Sequence, residues 1–345
     1  MNSATLTRPL GISKAPGGDT SAASRTAVVL FNLGGPDSLQ AVEPFLYNLF
    51  SDPDIFRLPL PWLTQKLFAR FASRRRAHEA GKAYAAIGGR SPLLANTRAQ
   101  AEALQTALAA HGDYTVFTCM RYWHPRADEV VAALVAGKFQ RVVLLPLYPQ
   151  YSGTTTGSSR NDFQRACDRA GYRATLLYVQ QWFDAPDYLA AIRASMLTSI
   201  ARFPDPDAAH IEVLFSAHGL PRKIVDAGDP YEQQIRATVE AVRALVDFPN
   251  ATLCYQSRVG PLEWLRPYIE DVIRAKAAAG CKQMLVYPIA FVSDHSETLY
   301  ELGIQYRDLA RDCGIAHYHV VPALNAHPLL IEALTKLVLR ETVHA

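Results

Sequence analysis

The residues best suited to chemistry lie in one stretch, Asp294–Leu302, which reads DHSETLYEL. Its three carboxylates, Asp294, Glu297 and Glu301, are spaced i, i+3 and i+7, so on an α-helix they would share one face. Like charges in a row are unfavourable unless a cation, a shared proton or water offsets them. The pattern therefore predicts either a solvated acidic surface or a carboxylate site that binds a cation or exchanges protons.

The position of this stretch favours the site over the solvated surface. It follows an apolar run, 284–287, that is typical of a buried strand, and Phe291 and His295 crowd it. A buried strand, a short turn and an acidic helix start are the layout of a site at the carboxyl edge of a parallel sheet. Ser293 or Asp294 is expected to cap the helix.

A single histidine, His218, ends another apolar run between the small residues Ala217 and Gly219. With an ordinary pKa near about 6.5, a histidine exchanges protons at working pH, and its neutral nitrogen binds metals. A lone histidine is more often structural, but small neighbours leave this ring accessible. If His218 faces Glu297 across a cleft, a metal ion or a moving proton would lie between them. Two ligands suit a metal that is passed on, because a structural site usually has four.

The elements that must position these residues repeat a theme along the chain. Segments 28–36 and 211–221 both contain an apolar strand, a glycine turn and a proline. Segments 143–156 and 284–298 both reach Tyr-Pro before a turn with hydroxyl side chains starts a helix. The sequence therefore predicts an α/β fold of two similar Rossmann-like halves, each a parallel sheet flanked by helices, with a cleft between them.

The predicted boundaries give an N-terminal half at 26–183 and a C-terminal half at 184–345, whose last helix packs back on the first half. Ligands of such folds bind between the halves, at the carboxyl ends of strands. Residues 1–25, rich in Ser, Thr, Ala, Gly and Pro, are predicted to be a disordered extension. A transit-like presequence is disfavoured because arginines are few.

The segment 55–76 alternates aromatic and aliphatic residues with basic ones and is broken by prolines. Two interpretations fit this pattern equally well. One is a lip that lies against a membrane surface or an apolar ligand. The other is a helix that packs on its own domain and turns a basic face to water.

Composition excludes several classes of protein. The chain has 345 residues, 49% hydrophobic and 19% charged, and a net charge of +3, which does not predict nucleic-acid binding. No apolar run approaches the roughly 20 residues that span a bilayer. The five cysteines form no C-x-x-C pair, and none follows Cys313. This favours a reducing cytoplasm over a disulfide framework or a C-terminal metal cluster.

Six segments, in order along the chain, resemble ferrochelatases, and the resemblance runs from about residue 27 to 335. It implies insertion of Fe²⁺ into protoporphyrin IX, which gives protohaem and two protons as the terminal step of haem biosynthesis. It also implies that Fe²⁺ is a substrate and that neither an organic cofactor nor an iron–sulfur cluster takes part. The segments are Leu33–Pro36, Met120–Pro125, Tyr148–Ser152, Ser216–Pro221, Gln256–Pro261 and Ser293–Leu302.

The resemblance assigns roles to single residues. His218 and Glu297 match the active-site histidine and glutamate of the family, which share metal binding and removal of pyrrole protons. Which residue performs which task stays open. His295 matches a second histidine close to Glu297. Asp294, His295 and Glu301 are expected to form a secondary path for cation entry or proton exit.

A second group of residues matches positions that line the porphyrin pocket or hold its propionates. Arg121, at the end of a predicted strand, suits a carboxylate. Leu33 stands where other members carry Tyr or Met, and Gln305 stands where many continue the acidic stripe. The lip, 55–76, matches the apolar mouth by which porphyrin enters. The predicted pocket residues are Leu33, Tyr84, Ser91, Arg121, Trp264 and Phe291.

Other functions compete with this interpretation. A coproporphyrin ferrochelatase or another metal–tetrapyrrole chelatase would use the same residues. A non-catalytic tetrapyrrole carrier would keep Trp264 and the lip but would not need His218 to face Glu297. A nucleotide-dependent enzyme should show G-x-G-x-x-G, which this chain lacks. The expected partners are the two substrates, an iron-donor protein and a membrane surface at the lip, and the expected location is cytoplasmic or peripheral to a membrane.

Overall fold

The computed structural model describes residues 25–55, 60–258 and 260–343. The predicted N-terminal extension therefore lies outside the described residues, apart from Arg25. Residues 56–59, in the predicted lip, lie outside them as well. Residues 61–76 of the lip belong to a long helix that begins at Pro61.

The apolar runs form two four-stranded parallel sheets. The strands are β1 (Thr26–Asn32), β2 (Tyr114–Met120), β3 (Arg141–Pro146), β4 (Thr175–Tyr178), β5 (Glu212–His218), β6 (Ala251–Gln256), β7 (Gln283–Pro288) and β8 (His317–Val320). The spatial order is β2-β1-β3-β4 in one sheet and β6-β5-β7-β8 in the other. Each central strand is buried almost along its whole length, because helices cover both faces of its sheet.

Helices connect the parallel strands and cover the sheets. The α-helices are α1 (Val42–Phe50), α2 (Pro61–Ala86), α3 (Leu93–Leu108), α4 (Ala127–Ala136), α5 (Ser158–Ala170), α6 (Pro186–Ile200), α7 (Arg222–Asp226), α8 (Tyr231–Leu245), α9 (Ile269–Ala278), α10 (Arg307–Asp312) and α11 (Pro328–Val343). Two π-helices, Gly153–Gly157 and Glu297–Tyr306, follow β3 and β7. Equivalent elements therefore occupy equivalent places in the two halves.

The identical strand order confirms the predicted fold of two similar Rossmann-like halves. The chain passes from one half to the other between β4 and α6. Helix α11 returns to the first half, where the hydroxyls of Tyr114 and Thr342 lie 3.0 Å apart. Among the described helices, none combines the length and the apolar character needed to cross a bilayer.

One apolar cluster joins the two halves. It contains Val28 from the first sheet, Val213 from the second, and side chains of α6 and α11, such as Ile192 and Leu334. Because both sheets contribute to this cluster, their carboxyl edges are held in a fixed relation. Residues from separate strands can then form one site.

We expect Ile192→Ala to lower the free energy of unfolding by about 2–5 kcal/mol, because it empties a fully buried position in the shared cluster. Urea unfolding followed by circular dichroism measures the loss. Leu197→Ala is the matched control, since Leu197 lies on the same helix with 38% of its surface exposed. Equal losses in the two variants would contradict the shared core.

Candidate active site

His218 and Glu297 meet at the carboxyl edge of the second sheet. His218 is the last residue of β5, and Glu297 opens the π-helix that follows β7, the neighbouring strand. Nδ1 of His218 lies 2.7 Å from Oε2 of Glu297, with 36% and 23% of the two side chains exposed. The pair is thus within hydrogen-bond reach and open to a ligand from one side.

The 2.7 Å separation is that of a hydrogen bond, and a metal ion bound between Nδ1 of His218 and Oε2 of Glu297 would have to open it. Two ligand atoms that are each about 2.1 Å from a tetrahedral ion lie roughly 3.4 Å apart. A proton and a metal ion therefore cannot lie between these two atoms at the same time. Within the described residues, no group of three or more His, Cys, Asp or Glu side chains is placed to hold a metal.

Each member of the pair stabilises the charged form of the other. Burial opposes ionisation of both, but the charge and hydrogen bond of His218 hold the pKa of Glu297 well below its usual range. In the same way, Glu297 and, more weakly, Glu301 raise the pKa of His218 despite its burial. The pair is a charge-assisted hydrogen bond in which a proton and a metal ion would compete for the same atoms.

Ser257 joins the two half-buried glutamates, Glu297 and Glu301. Its hydroxyl lies 3.0 Å from Oε2 of Glu297 and 2.5 Å from Oε2 of Glu301. The residue has a φ of +64°, a left-handed conformation that is costly for serine and is often retained at functional sites. One hydroxyl proton cannot satisfy both carboxylates at once, so this arrangement suits a shared proton.

Of the two glutamates that Ser257 bridges, Glu301 holds a proton more readily. Burial and, secondarily, the charge of Glu297 raise its pKa to about 7. Gln256 donates to Oε2 of Glu301 at 3.2 Å, and Ser216 donates to Oε1 of Gln256 at 2.7 Å. The sequence interpretation missed Gln256 and Ser257, although their place at the end of β6, beside β5, was a signal for both.

The helix that carries the glutamates differs from the one predicted. It is a π-helix that begins at Glu297, and its N-cap residue, Ser296, makes no side-chain capping bond. The prediction that Ser293 or Asp294 caps an α-helix is therefore wrong. Asp294 lies before the helix, so the predicted single face of three carboxylates is reduced to Glu297 and Glu301. Short π-helical stretches occur frequently at functional sites.

Asp294 is bound to the loop that follows the last strand. Its Oδ1 accepts hydrogen bonds from Thr298 Oγ1 at 2.9 Å and from the Ala323 N–H at 3.2 Å. Its Oδ2 accepts one from Asn325 Nδ2 at 2.8 Å. Asn96 of α3 donates to the backbone carbonyl of Asp294 at 3.0 Å, which ties this turn to the first half.

His295 and Phe291 lie beside the pair, as their spacing suggested. The two rings meet edge to face at 4.4 Å, and the ring of Phe291 lies 6.4 Å from that of His218. His295 is buried, and neither ring nitrogen has a hydrogen-bond partner among the described residues. Burial lowers its pKa, so the ring favours its neutral form.

Trp264 is placed against the turn that follows His218. A Cβ atom on Gly219 would lie 3.3 Å from the indole and 3.0 Å from the carbonyl oxygen of Gln256, so a larger residue would crowd this wall. Tyr84, from the C-terminal part of α2, receives a long hydrogen bond from Ser296 at 3.4 Å, and burial raises the pKa of the phenol to about 12. Tyr84 therefore lies beside the residue that precedes Glu297, and Trp264 lies beside the residue that follows His218.

The other predicted pocket residues lie at the first sheet. Ser91 packs against Gly35, where a Cβ atom would approach the serine hydroxyl to 2.4 Å. Leu33 packs in two apolar clusters of the first half. Arg121 follows β2 and is buried in ion pairs with Asp52 and Asp162.

Comparisons with known proteins give one consistent result. The family model described as "Ferrochelatase" matches residues 25–342. A ferrochelatase of Synechocystis sp. is 47% identical over 320 residues, which are 91% of this chain and 82% of the relative. A ferrochelatase of Synechococcus sp. (strain JA-3-3Ab) is 48% identical and is matched over 91% of this chain and 93% of its own length.

Solved structures share the fold at low sequence identity. SirB from Bacillus subtilis with Fe³⁺ has a TM-score of 0.53 at 10% identity, over 92% of this chain and 95% of that protein. DR2241 from Deinococcus radiodurans, a multi-domain protein with structural similarity to chelatases, has a TM-score of 0.53 at 14% identity, over 91% of this chain and 55% of that protein. These structures support the fold alone.

We expect Glu301→Gln to stabilise the fold increasingly as pH rises from 5 to 8. Because the pKa of Glu301 is raised to about 7, the folded state binds this proton more tightly than the unfolded chain does. The unfolding free energy of the wild type therefore falls between about pH 4.5 and 7, whereas glutamine cannot ionise. The difference between the two proteins should grow by on the order of 2–3 kcal/mol.

Urea unfolding of both proteins at the two pH values measures this difference. Glu240→Gln, at an exposed position of α8, is the control and should show no such pH dependence. A difference between Glu301→Gln and wild type that is equal at pH 5 and pH 8 would show that Glu301 does not hold the shared proton.

Proposed function

We infer the function from one premise: the chain belongs to the ferrochelatase family. The family suggested by six sequence motifs is thereby confirmed. The protein is a lyase of the metal-chelatase type, which inserts Fe²⁺ into protoporphyrin IX and gives protohaem and two protons. The observation that supports this function at this site is the 2.7 Å contact between His218 and Glu297.

The chemistry requires both a base and a metal ligand. The two pyrrole N–H groups each release a proton as four nitrogens bind the ion, and iron keeps its oxidation state. A base within hydrogen-bond reach of the macrocycle must take these protons. We assign this task and metal delivery to His218 and Glu297 together, and the division between them stays open. The reaction is expected to need no organic cofactor.

Protons are proposed to leave the pair through neighbouring groups. Ser257 bridges Glu297 and Glu301, and a pKa of about 7 lets Glu301 take and release a proton near neutral pH. His295, whose ring nitrogens have no hydrogen-bond partner among the described residues, is proposed as a second group on this path. Three hydrogen bonds already occupy the carboxylate of Asp294, which supports a positioning role for it.

The walls of the cleft suit a flat apolar macrocycle with two carboxylates. Phe291, Trp264 and Tyr84 offer aromatic surface from three different elements around Glu297, and such sites combine apolar walls with a few polar anchors. A planar porphyrin hides its nitrogens, so we expect the cleft to hold the ring bent. Bending would expose a nitrogen lone pair to the ion.

A membrane surface is the proposed neighbour of helix α2. Leu67 and Phe71 are each 67% exposed on this helix, and they share one helix face with Arg70, Arg74 and Arg75. Exposed apolar side chains among arginines suit the interface of an anionic bilayer. Such a contact would let an apolar substrate enter from lipid. Fe²⁺ is expected to come from a donor protein.

We expect anaerobic incubation with Fe²⁺ and protoporphyrin to give haem absorbance, and His218→Ala to lower kcat/KM by about 10²–10⁴-fold. Protoporphyrin should still quench tryptophan fluorescence in that variant, because the aromatic walls remain. His210→Ala is a matched control, since His210 forms a similar contact with a carboxylate at the surface, 2.6 Å from Asp205.

Three results would change the assignment. Full activity of His218→Ala would remove His218 from the chemistry. Turnover with coproporphyrin far above that with protoporphyrin would make the protein a coproporphyrin chelatase. Porphyrin binding without any metal insertion by the wild type would make it a carrier.

We expect the double substitution Leu67→Ser and Phe71→Ser to lower binding to vesicles of mixed phosphatidylglycerol and phosphatidylcholine at least about tenfold, because most of the apolar contact is lost. Co-sedimentation measures the bound fraction. Leu245→Ser, at an exposed position of α8, is the control. Unchanged vesicle binding of the double variant would leave α2 without this role.

A further inference from the structure

We propose that Arg121 is a positioning residue that fixes the mouth of the cleft through Asp52, and that it does not bind a porphyrin carboxylate. The inference concerns the mouth of the site described above and rests on the proposed function, since it presumes a porphyrin ligand. It departs from the role that the sequence resemblance implied for Arg121. The case rests on a buried polar cluster at the carboxyl edge of the first sheet.

The cluster gathers three polar groups around one carboxylate oxygen of Asp52. Oδ2 of Asp52 accepts hydrogen bonds from the hydroxyls of Tyr122 and Ser158, at 2.7 and 2.5 Å, and lies 2.9 Å from NH2 of Arg121. The side chain of Asp52 has no exposed surface, and that of Arg121 has 6%. Both charges are buried, so each depends on the other.

The guanidinium of Arg121 is committed on all three nitrogens. Nε donates to Ser158 at 2.7 Å, NH2 faces Asp52, and NH1 lies 3.4 Å from Asp162. The face of the group lies 4.9 Å from the ring of Tyr122. Because only 6% of this side chain is exposed, a ligand carboxylate would have to compete with these partners, and displacing Asp52 would leave an uncompensated buried charge.

Asp52 sits where the chain turns from α1 toward the mouth. Its N–H donates to the carbonyl of Leu49 at 3.2 Å, and its Oδ1 accepts from the N–H of Asp54 at 2.9 Å. The cluster therefore binds the end of α1 to residues that follow β2 and begin α5. A rigid attachment at this point fixes the end of α1, against which α2 packs.

Helix α2 connects the end of α1 to Tyr84, one of the proposed aromatic walls of the cleft. The rings of Phe50 and Phe68 meet edge to face at 6.1 Å, and Gln65 donates to the carbonyl of Phe50 at 2.8 Å. The same helix carries Tyr84, which contacts Ser296 next to Glu297. Loss of the Asp52 cluster should therefore displace the wall against which the macrocycle packs.

Asp52→Asn distinguishes the two roles because they predict opposite results. If Arg121 binds a substrate carboxylate, removing its competing partner should leave porphyrin affinity unchanged or increase it. If Arg121 positions the mouth, the same change should weaken it. We expect a rise in the Kd and KM for protoporphyrin of about tenfold or more, because small misplacements are costly, with kcat and the KM for Fe²⁺ little changed.

The dimethyl ester of protoporphyrin supplies the second comparison. An anion anchor predicts that Arg121→Lys weakens the diacid but not the ester. A positioning residue predicts the same loss for both ligands, since lysine keeps the charge but cannot replace the planar fork of arginine. Binding is measured by tryptophan fluorescence quenching, and KM values come from haem formation.

Two variants keep the test decisive. Asp128→Asn removes an aspartate–arginine pair with Arg169 at the surface and should leave Kd unchanged. If Asp52→Asn does not fold, Tyr122→Phe removes one hydrogen bond to Asp52 without unpairing a charge and should shift Kd in the same direction. Unchanged or tighter binding in Asp52→Asn or Tyr122→Phe would overturn the inference. Absence of haem formation by the wild type would instead overturn the proposed function.

Discussion

The site depends on a hydrogen-bonded pair of opposite charges, His218 and Glu297, in a setting that disfavours charge. Each would be costly to bury alone, and together they are stable only with good geometry. Two neighbouring parallel strands supply that geometry, because β5 ends at the histidine and β7 leads into the helix of the glutamate. Ser257, in a left-handed conformation, places its hydroxyl between Glu297 and Glu301 beside this pair.

Polar residues of the first half fix the carboxyl edges of both sheets. Asn96 of α3 binds the turn at Asp294, whose carboxylate binds the loop at Asn325. Arg121 and Asp52 attach α1 to the carboxyl edge of the other sheet. Since the halves also share an apolar cluster, the residues at both carboxyl edges belong to one packed body.

The fold could be predicted from the sequence because continuous apolar runs such as 284–287 correspond to buried parallel strands, and here the observed strand, Gln283–Pro288, extends the predicted run by one residue at each end. The π-helix could not, since acids four residues apart fit an α-helix equally well. The surroundings of Arg121 also escaped prediction, because Asp52 lies far away in the sequence. Of the residues at the pair, Ser257 went unnoticed because a hydroxyl after a strand is common.

The most direct test of the pair is anomalous diffraction from crystals of the full chain soaked with Zn²⁺ as a stand-in for Fe²⁺. We predict a peak about 2.0–2.2 Å from a ring nitrogen of His218 and from a carboxylate oxygen of Glu297, with the hydrogen bond between them opened. A cleft without a peak, in crystals where surface pairs such as His210 and Asp205 do bind Zn²⁺, would contradict the account.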